Sequence, residues 1–291
     1  MSKPAGKIRG LGEADRSEMR RRYPEVFRAP VVERCLSLAI IVGGVALAIY
    51  TLWRFGFSPT KFVDGLDKLG IVVVLMMPPD PGSQLWHYLS ALAETLAIAF
   101  LGTLGAAILA LPMSMLAAKN VVANRILHFA SRRFLDTIRG VDTLIWALIW
   151  INVVGLGPFA GILAIMTSDF GSFGKLFSEA IEASDRKPVD GVLSAGGSEV
   201  HSFRFGILPQ VMPVLMSQVL YYFESNTRSA TIIGIVGAGG IGLYLANEIA
   251  QAEWQRVAFI ILMILVTVSV IDWVSSRLRL AMIGRRAGAT A

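Results

Sequence analysis

The sequence predicts an all-α, polytopic membrane protein with about six transmembrane helices, and three observations predict it. Charged residues are only 16% of the 291, where a soluble domain carries about a quarter. Hydrophobic residues are 54% and the mean hydropathy is +0.61, more apolar surface than a soluble chain of this size could cover. Several uncharged runs are also long enough to cross about 30 Å of hydrocarbon, which takes about 20 residues of helix. Disorder is excluded by the same apolar content. The single cysteine, Cys35, allows neither an internal disulfide nor a cysteine-based metal cluster.

Six stretches are expected to span: Cys35 to Trp53, Thr95 to Ala118, Val141 to Gly155, Pro158 to Phe177, Gly206 to Phe223, and Val257 to Ser276. The third and fourth are separated by Gly155-Leu156-Gly157-Pro158, a breaker that reads as a tight turn between two helices. Pro209 falls in the first turn of the fifth, where proline costs little. Lys61 to Met77 ends in an apolar run too short to span before Pro78-Pro79, and reads as an interfacial helix on the outer face. The chain is thus one transmembrane domain, residues 34–291, behind a polar tail, residues 1–33.

Basic residues orient this topology. With both termini inside, inner segments hold 22 of the 27 lysines and arginines, the last group being Arg277, Arg279, Arg285 and Arg286. Only five fall outside, so both termini are expected in the cytoplasm. The pI near 9.7 is explained by this bias rather than by nucleic acid, since no basic helix with interleaved aromatics occurs.

The inner loop between the fourth and fifth spans, Glu179 to Pro209, is too long for a minimal connection. It contains Asp190-Gly191-Val192, three residues, Gly196, nine residues, then Gly206-Ile207-Leu208-Pro209. Such a segment can form a short cytoplasmic helix that breaks at a glycine, turns, and re-enters the membrane at a proline. It resembles the Glu-Ala-Ala, three residues, Gly, nine residues, Ile, one residue, Leu-Pro signature of ABC importer permeases. Asp190 stands for Glu, Gly191 and Val192 for the alanines, and Gly206 for the Ile.

Further blocks sharpen the resemblance: Val154 to Gly161, Gly206 to Pro213, Phe223 to Thr231, and Val236 to Gly242. From about Pro78 to Arg279 the chain is similar to the phosphonate-importer permease family, PhnE. The resemblance implies a homodimeric inner-membrane permease of the type I ABC importer fold, carrying phosphonate or a related phosphorus oxyanion by alternating access. Its implied partners are two ATP-binding subunits like PhnC, where Mg-ATP would act, and a periplasmic binding protein like PhnD. The chain itself is expected to bind no cofactor and no metal and to be no enzyme. By this resemblance residues 189–205 form the ATPase-coupling segment, with Asp190, Gly191, Gly196, Leu208 and Pro209 as its key residues. An ion-coupled secondary transporter of a small anion is the alternative function.

Gly237-Ala238-Gly239-Gly240-Ile241-Gly242 fits G-x-G-x-x-G but fails as a dinucleotide fingerprint, for no acidic residue follows about 20 positions on and no βαβ alternation surrounds it. No G-x-x-x-x-G-K-[ST] occurs, so nucleotide energy would have to come from another subunit. Gly237, Gly239, Gly240 and Gly242 read either as irregular backbone forming an outer gate loop or as close helix packing through small residues.

Counting about 1.5 Å per residue from Pro209, Glu224 and Arg228 fall about 22 and 28 Å along the helix, near the outer mouth. Charges there must pair or face water, so Glu224, Asn226 and Arg228 are candidates to line a pathway, with a local Glu224–Arg228 ion pair as the simpler reading. Glu94 and Asp142, near span ends, are explained by snorkelling or helix capping. His87, His128 and His201 are scattered, and no nucleophile, base and orienter can be assembled.

Overall fold

The computed structural model describes residues 21–22, 31–122 and 124–287, and the chain divides into two compact units, Met1–Ile71 and Val72–Ala291. Most of the expected tail, residues 1–33, lies outside the described residues.

In the first unit, α1 (Val31–Arg54) exposes large apolar side chains on every face, among them Leu38, Ile41, Val45 and Ile49. Apolar residues all round are what a lipid-facing helix requires. After a turn at Gly56, α2 (Pro59–Leu75) begins at its proline and reaches the unit boundary.

The second unit is built on α3 (Leu85–Ala117), whose 33 residues extend about 50 Å. Its buried positions include Ala91, Thr95, Ile98, Ala99, Gly102, Thr103, Ala106 and Ala110, a helical stripe of mostly small side chains. They admit α6 (Pro158–Glu182) so closely that a Cβ on Gly102 would sit 2.8 Å from Cβ of Ile165. Three buried clusters follow one another along α3 among the described residues. Tyr88, Ala91, Ile241 and Ile260 form one end, Ile98, Ala164, Ile165 and Ile233 the middle, and Ala110, Phe173, Phe177 and Val211 the other end.

Between α3 and α6 the chain forms α4 (Arg125–Arg139) and α5 (Thr143–Val154), bent by 86° at the intervening break. Asn124 caps the start of α4, accepting from the Ile126 and Leu127 amides, and at the break Asp142 starts α5 by accepting from the Leu144 amide. The expected span Val141–Gly155 is corrected here. Its 12-residue helix reaches only about 18 Å, so α5 crosses a membrane only together with α4.

After α6 come α7 (Lys187–Ser194), a single turn at Glu199–His201, a π-helical stretch at Ser202–Ile207, and α8 (Leu208–Ile233). From Glu199 to Ile233 the backbone is helical without interruption. A π-helical turn at Gly234–Ala238 leads to α9 (Ile241–Ala250) and then α10 (Trp254–Ala287).

Among the described residues four helical segments are long and apolar enough to span, or five when the bent pair α4–α5 is counted as one span. Helix α6, expected as a further span, has the length but more polar content. Its Asp169 is buried against α3 and α8, and Lys175 Nζ lies 2.9 Å from Asp136 Oδ1 on α4. Enclosure by neighbouring helices makes that polarity tolerable.

Candidate functional site

The loop between α6 and α8 projects a helix of its own. Pro188 lies in the first turn of α7, Asp190 follows in the same turn, and Asp185 Oδ1 accepts from the Lys187 amide at 3.1 Å. At the far end Gly196 takes φ +83°, its amide donates to Leu193 O at 2.9 Å, and the Gly197 amide donates to Val192 O at 3.0 Å. This left-handed stop requires glycine and ends the helix abruptly. Ser198 then caps the next turn reciprocally with His201.

A cleft of about 530 Å³ runs along this corner, lined by Gly191, Val192, Ala195, Gly196, His201 and Phe205 among others. The structure therefore brings Gly191 and Gly196 to one surface. Asp190 is exposed beside it, while Leu208 and Pro209 lie outside it at the root of α8. Gln210 was missed from sequence. Its Oε1 accepts from the Asp185 amide at 3.0 Å, and its Nε2 donates to Asp185 O at 3.0 Å and Gly206 O at 2.7 Å. It thereby clamps the loop's entry to the base of α8.

The glycine run has both irregular backbone and close packing. Gly237 has φ +104°, Gly239 φ +83° and Gly240 φ +76°, so the backbone is irregular, and a Cβ on Gly242 would collide with Thr231 O. Irregular backbone needs its amides satisfied. Glu94 Oε1 accepts from the Gly240 amide at 3.0 Å and Thr95 Oγ1 from the Ile241 amide at 2.8 Å, so α3 caps α9. Asp142 caps the helix it precedes, as expected, whereas Glu94 lies inside α3 and satisfies an amide ahead of α9. Gly157 N donates to Gly237 O at 3.0 Å, which joins the α5–α6 turn to the run.

Glu224 and Arg228 form the expected pair, Nη1 to Oε1 at 3.5 Å, but they are not alone. Arg279 of α10 approaches the other oxygen, with Nη1 and Nη2 both 3.4 Å from Oε2. The 55 residues between these partners hid the contact, and Arg279 had been read only as an orienting charge. Asn226 turns the other way, as a residue two positions on along a helix must. Its Nδ2 donates to Thr103 Oγ1 at 2.8 Å and to Asp169 Oδ2, inside the packed interior. Glu224, Asn226 and Arg228 therefore do not share one surface.

Their depth also needs correction. Thr103, level with Asn226, stands about 21 Å from the Ala117 end of α3 and about 27 Å from the Leu85 end. The three residues belong to the middle of the bundle. Counting from Pro209 placed them near an outer mouth because it measured one helix alone, whereas α3 continues about 27 Å beyond Thr103.

Lipid-length helices around a small-residue seam, with a separate helix projecting from the loop between two of them, define a polytopic helical membrane protein. Two solved permease structures share the arrangement. A chain of the MetNI methionine ABC transporter superposes with TM-score 0.59 at 18% identity, covering 68% of this chain and 97% of that one. A chain of an amino acid ABC transporter crystallised with histidines gives 0.58 at 18%, covering 72% and 100%. The fold is that of type I ABC importer permeases. The chain belongs to the binding-protein-dependent transport system inner membrane component family, whose model matches residues 110–283.

Among its relatives, HtxC of Stutzerimonas stutzeri, whose name ties it to phosphite transport, is 38% identical over 267 residues, covering 90% of this chain and 94% of that protein. The phosphite transport system permease protein PtxC of the same organism is 35% identical, covering 84% and 87%. The phosphate-import permease protein PhnE of Mycolicibacterium smegmatis (strain ATCC 700084 / mc(2)155) is 32% identical, covering 85% of this chain and 45% of that protein.

Proposed function

We propose that this chain is the permease subunit of an ATP-driven importer for a phosphorus oxyanion, phosphonate or phosphite, with both termini in the cytoplasm. The relatives' names support the substrate class, and the distribution of lysine and arginine supports the orientation. The observation that carries the mechanism is α7, standing out from the loop with its cleft open and its base clamped to α8 by Gln210.

In this reading two copies of the chain form the pathway. An ATP-binding subunit like PhnC docks on each α7 corner, Mg-ATP acts on those subunits, and a binding protein like PhnD delivers the solute from the periplasm. ATP binding draws the two α7 corners together and opens the pathway outward, and hydrolysis lets it return. Asp190, Gly191 and Gly196 supply the docking corner, and Leu208 and Pro209 begin the helix that receives the motion. Glu224 and Arg228 contribute to the pathway, Asn226 braces it from within, and the glycine run from Gly237 to Gly242 forms the outer gate.

Two experiments test this. Gly196→Arg places a large side chain on a residue with φ +83° at the cleft, and co-purification of the ATP-binding subunit is expected to fall sharply while the permease remains in the membrane. Retained co-purification together with normal ATP-dependent uptake would remove the docking assignment. Arg228→Ala deletes a half-exposed cation whose pair is loose, so phosphite uptake should drop severalfold with assembly intact. Unchanged uptake would take Arg228 out of the pathway.

A further inference from the structure

Cations gather where α3 turns into α4 and along α4 itself: Lys119, Arg125, Arg132, Arg133 and Arg139. Packing fixes this corner. Arg132 Nη2 lies 3.0 Å from Glu182 Oε2 on α6, its Nε donates to Ala117 O at 3.4 Å, and the Lys119 amide donates to Glu182 Oε1 at 2.8 Å. A cleft of about 420 Å³ opens there, lined by Lys119, Val122, Arg125, His128 and Phe129. We propose that this corner binds the headgroup of an anionic phospholipid of the inner leaflet, an inference that rests on the cytoplasmic orientation proposed above and adds a lipid ligand to it.

The charge is in surplus after the neighbouring acids are counted. With Lys175 of α6, six cations meet two carboxylates, Glu182 and Asp136. Arg132 engages the first, and Lys175 at 2.9 Å and Arg133 at 3.0 Å engage the second, which leaves four positive charges unmatched. Lys119 and Arg125 at the cleft are both exposed, and neither side chain makes an ion pair among the described residues.

The helix is also built for the membrane surface. Arg125, His128, Arg132, Asp136 and Arg139 recur three and four residues apart and form one polar face of α4. Ser131 and Leu135 are buried, Leu135 against Gly174 of α6. The remaining face is apolar and open, with Ile126 80%, Phe129 64% and Phe134 52% exposed. A helix with a cationic face and an open apolar face lies in the bilayer interface. The 86° bend agrees, for when α5 stands across the bilayer α4 runs close to its plane. Arg133 lies over the Phe129 ring, 5.6 Å from its centroid, as a cation does when its stem covers apolar surface at an interface.

Phe129 belongs both to the cleft and to the open apolar face, so cations and apolar surface are continuous. The occupant that satisfies both carries a phosphate ester on long acyl chains. Lys119 and Arg125 hold the phosphate by charge-assisted hydrogen bonds, and the chains run past Phe129 and Ile126. A zwitterionic headgroup brings a cation of its own, which these residues repel, so an anionic lipid is preferred. A soluble phosphate would leave the apolar side uncovered.

The experiment uses the full chain assembled with its partner subunits in vesicles of phosphatidylcholine and phosphatidylglycerol. Cys35→Ser removes the native thiol, and Ile126→Cys carries a bimane fluorophore beside Arg125. Brominated phosphatidylglycerol is expected to quench the label severalfold more than brominated phosphatidylcholine at the same mole fraction. The double variant Lys119→Gln with Arg125→Gln should erase that preference, while Arg139→Gln at the far end of α4 should keep most of it. Glycerol 3-phosphate in the buffer should leave it unchanged.

Equal quenching by the two lipids, or a preference that survives the double variant, would overturn the site. Loss of the preference with glycerol 3-phosphate would make it a site for soluble phosphates instead. Quenching by neither lipid would mean that a second copy of the chain or an ATP-binding subunit covers the corner, which also overturns the proposal. The orientation is read separately, from an impermeant maleimide on Val121→Cys. Labelling from the outer side of cells would refute the cytoplasmic placement, and the quenching would still decide whether the corner prefers anionic lipid.

Discussion

Replacing Gly240 with alanine is expected to destabilise the folded permease by several kcal/mol, through backbone strain and a lost cap together. Gly240 has φ +76° and ψ −166°, a region open to glycine and costing other residues about 1–3 kcal/mol. The new Cβ would also run into Thr95 Oγ1 and lie 3.3 Å from Thr95 Cα. That hydroxyl accepts from the Ile241 amide, so displacing it strands a buried donor at a further cost of about 1–3 kcal/mol. The measurement is a thermal melt of the detergent-solubilised protein, followed by loss of the monodisperse gel-filtration peak. Gly43→Ala on α1 is the control, since nothing lies within 4 Å of its added Cβ. A melt for Gly240→Ala matching the control would refute the assignment of α3 as the cap of α9.

Glu224→Ala should have an effect of the same order by a different route. The carboxylate is almost enclosed, with 11% of its side chain exposed, and it faces two guanidinium groups. Removing one partner from a buried ion pair typically costs about 3–5 kcal/mol, because the other charge is left without compensation. Arg228 is half exposed and can turn to water, so most of the penalty falls on Arg279. The double variant Glu224→Ala with Arg279→Met removes the stranded charge and should recover part of the lost melting temperature. Such non-additivity is the mark of a direct interaction. Additive losses would mean that the two side chains do not depend on each other.

The features legible in the sequence were those set by local chemistry. Pro158 begins a helix because proline suits a first turn, Gly196 ends one because its φ is positive, and Pro209 instead follows a π-helical stretch within a continuous helical path. Asp142 caps a helix as its position suggested, while the bond from the Gly240 amide to Glu94 joins residues far apart in sequence. The bend between α4 and α5 was less visible. Gly140 and Asp142 are both punctuation, yet the apolar run after them resembles the start of a full span.

Partners distant in sequence left no trace in it. Arg279 with Glu224, and Asn226 with Asp169 and Thr103, are joined only because α3, α6, α8 and α10 bring them level. Gln210 follows the Leu-Pro pair immediately, but its role depends on where Asp185 returns in space. The depth of Glu224 was misjudged for the same reason: a residue count measures distance along one helix, and the other helices set the scale.

The unbroken helical path from Glu199 to Ile233 is about 50 Å long, and Gln210 ties its lower end to the loop. A rod of that kind barely compresses. Under the proposed coupling, a tug at the α7 corner would therefore emerge at the far tip as tilt or translation, next to Gly237, Gly239 and Gly240, where positive φ values end the regular helix. In that reading one stiff strut joins the α7 corner to the glycine run, and shortening it by a residue is expected to desynchronise the two.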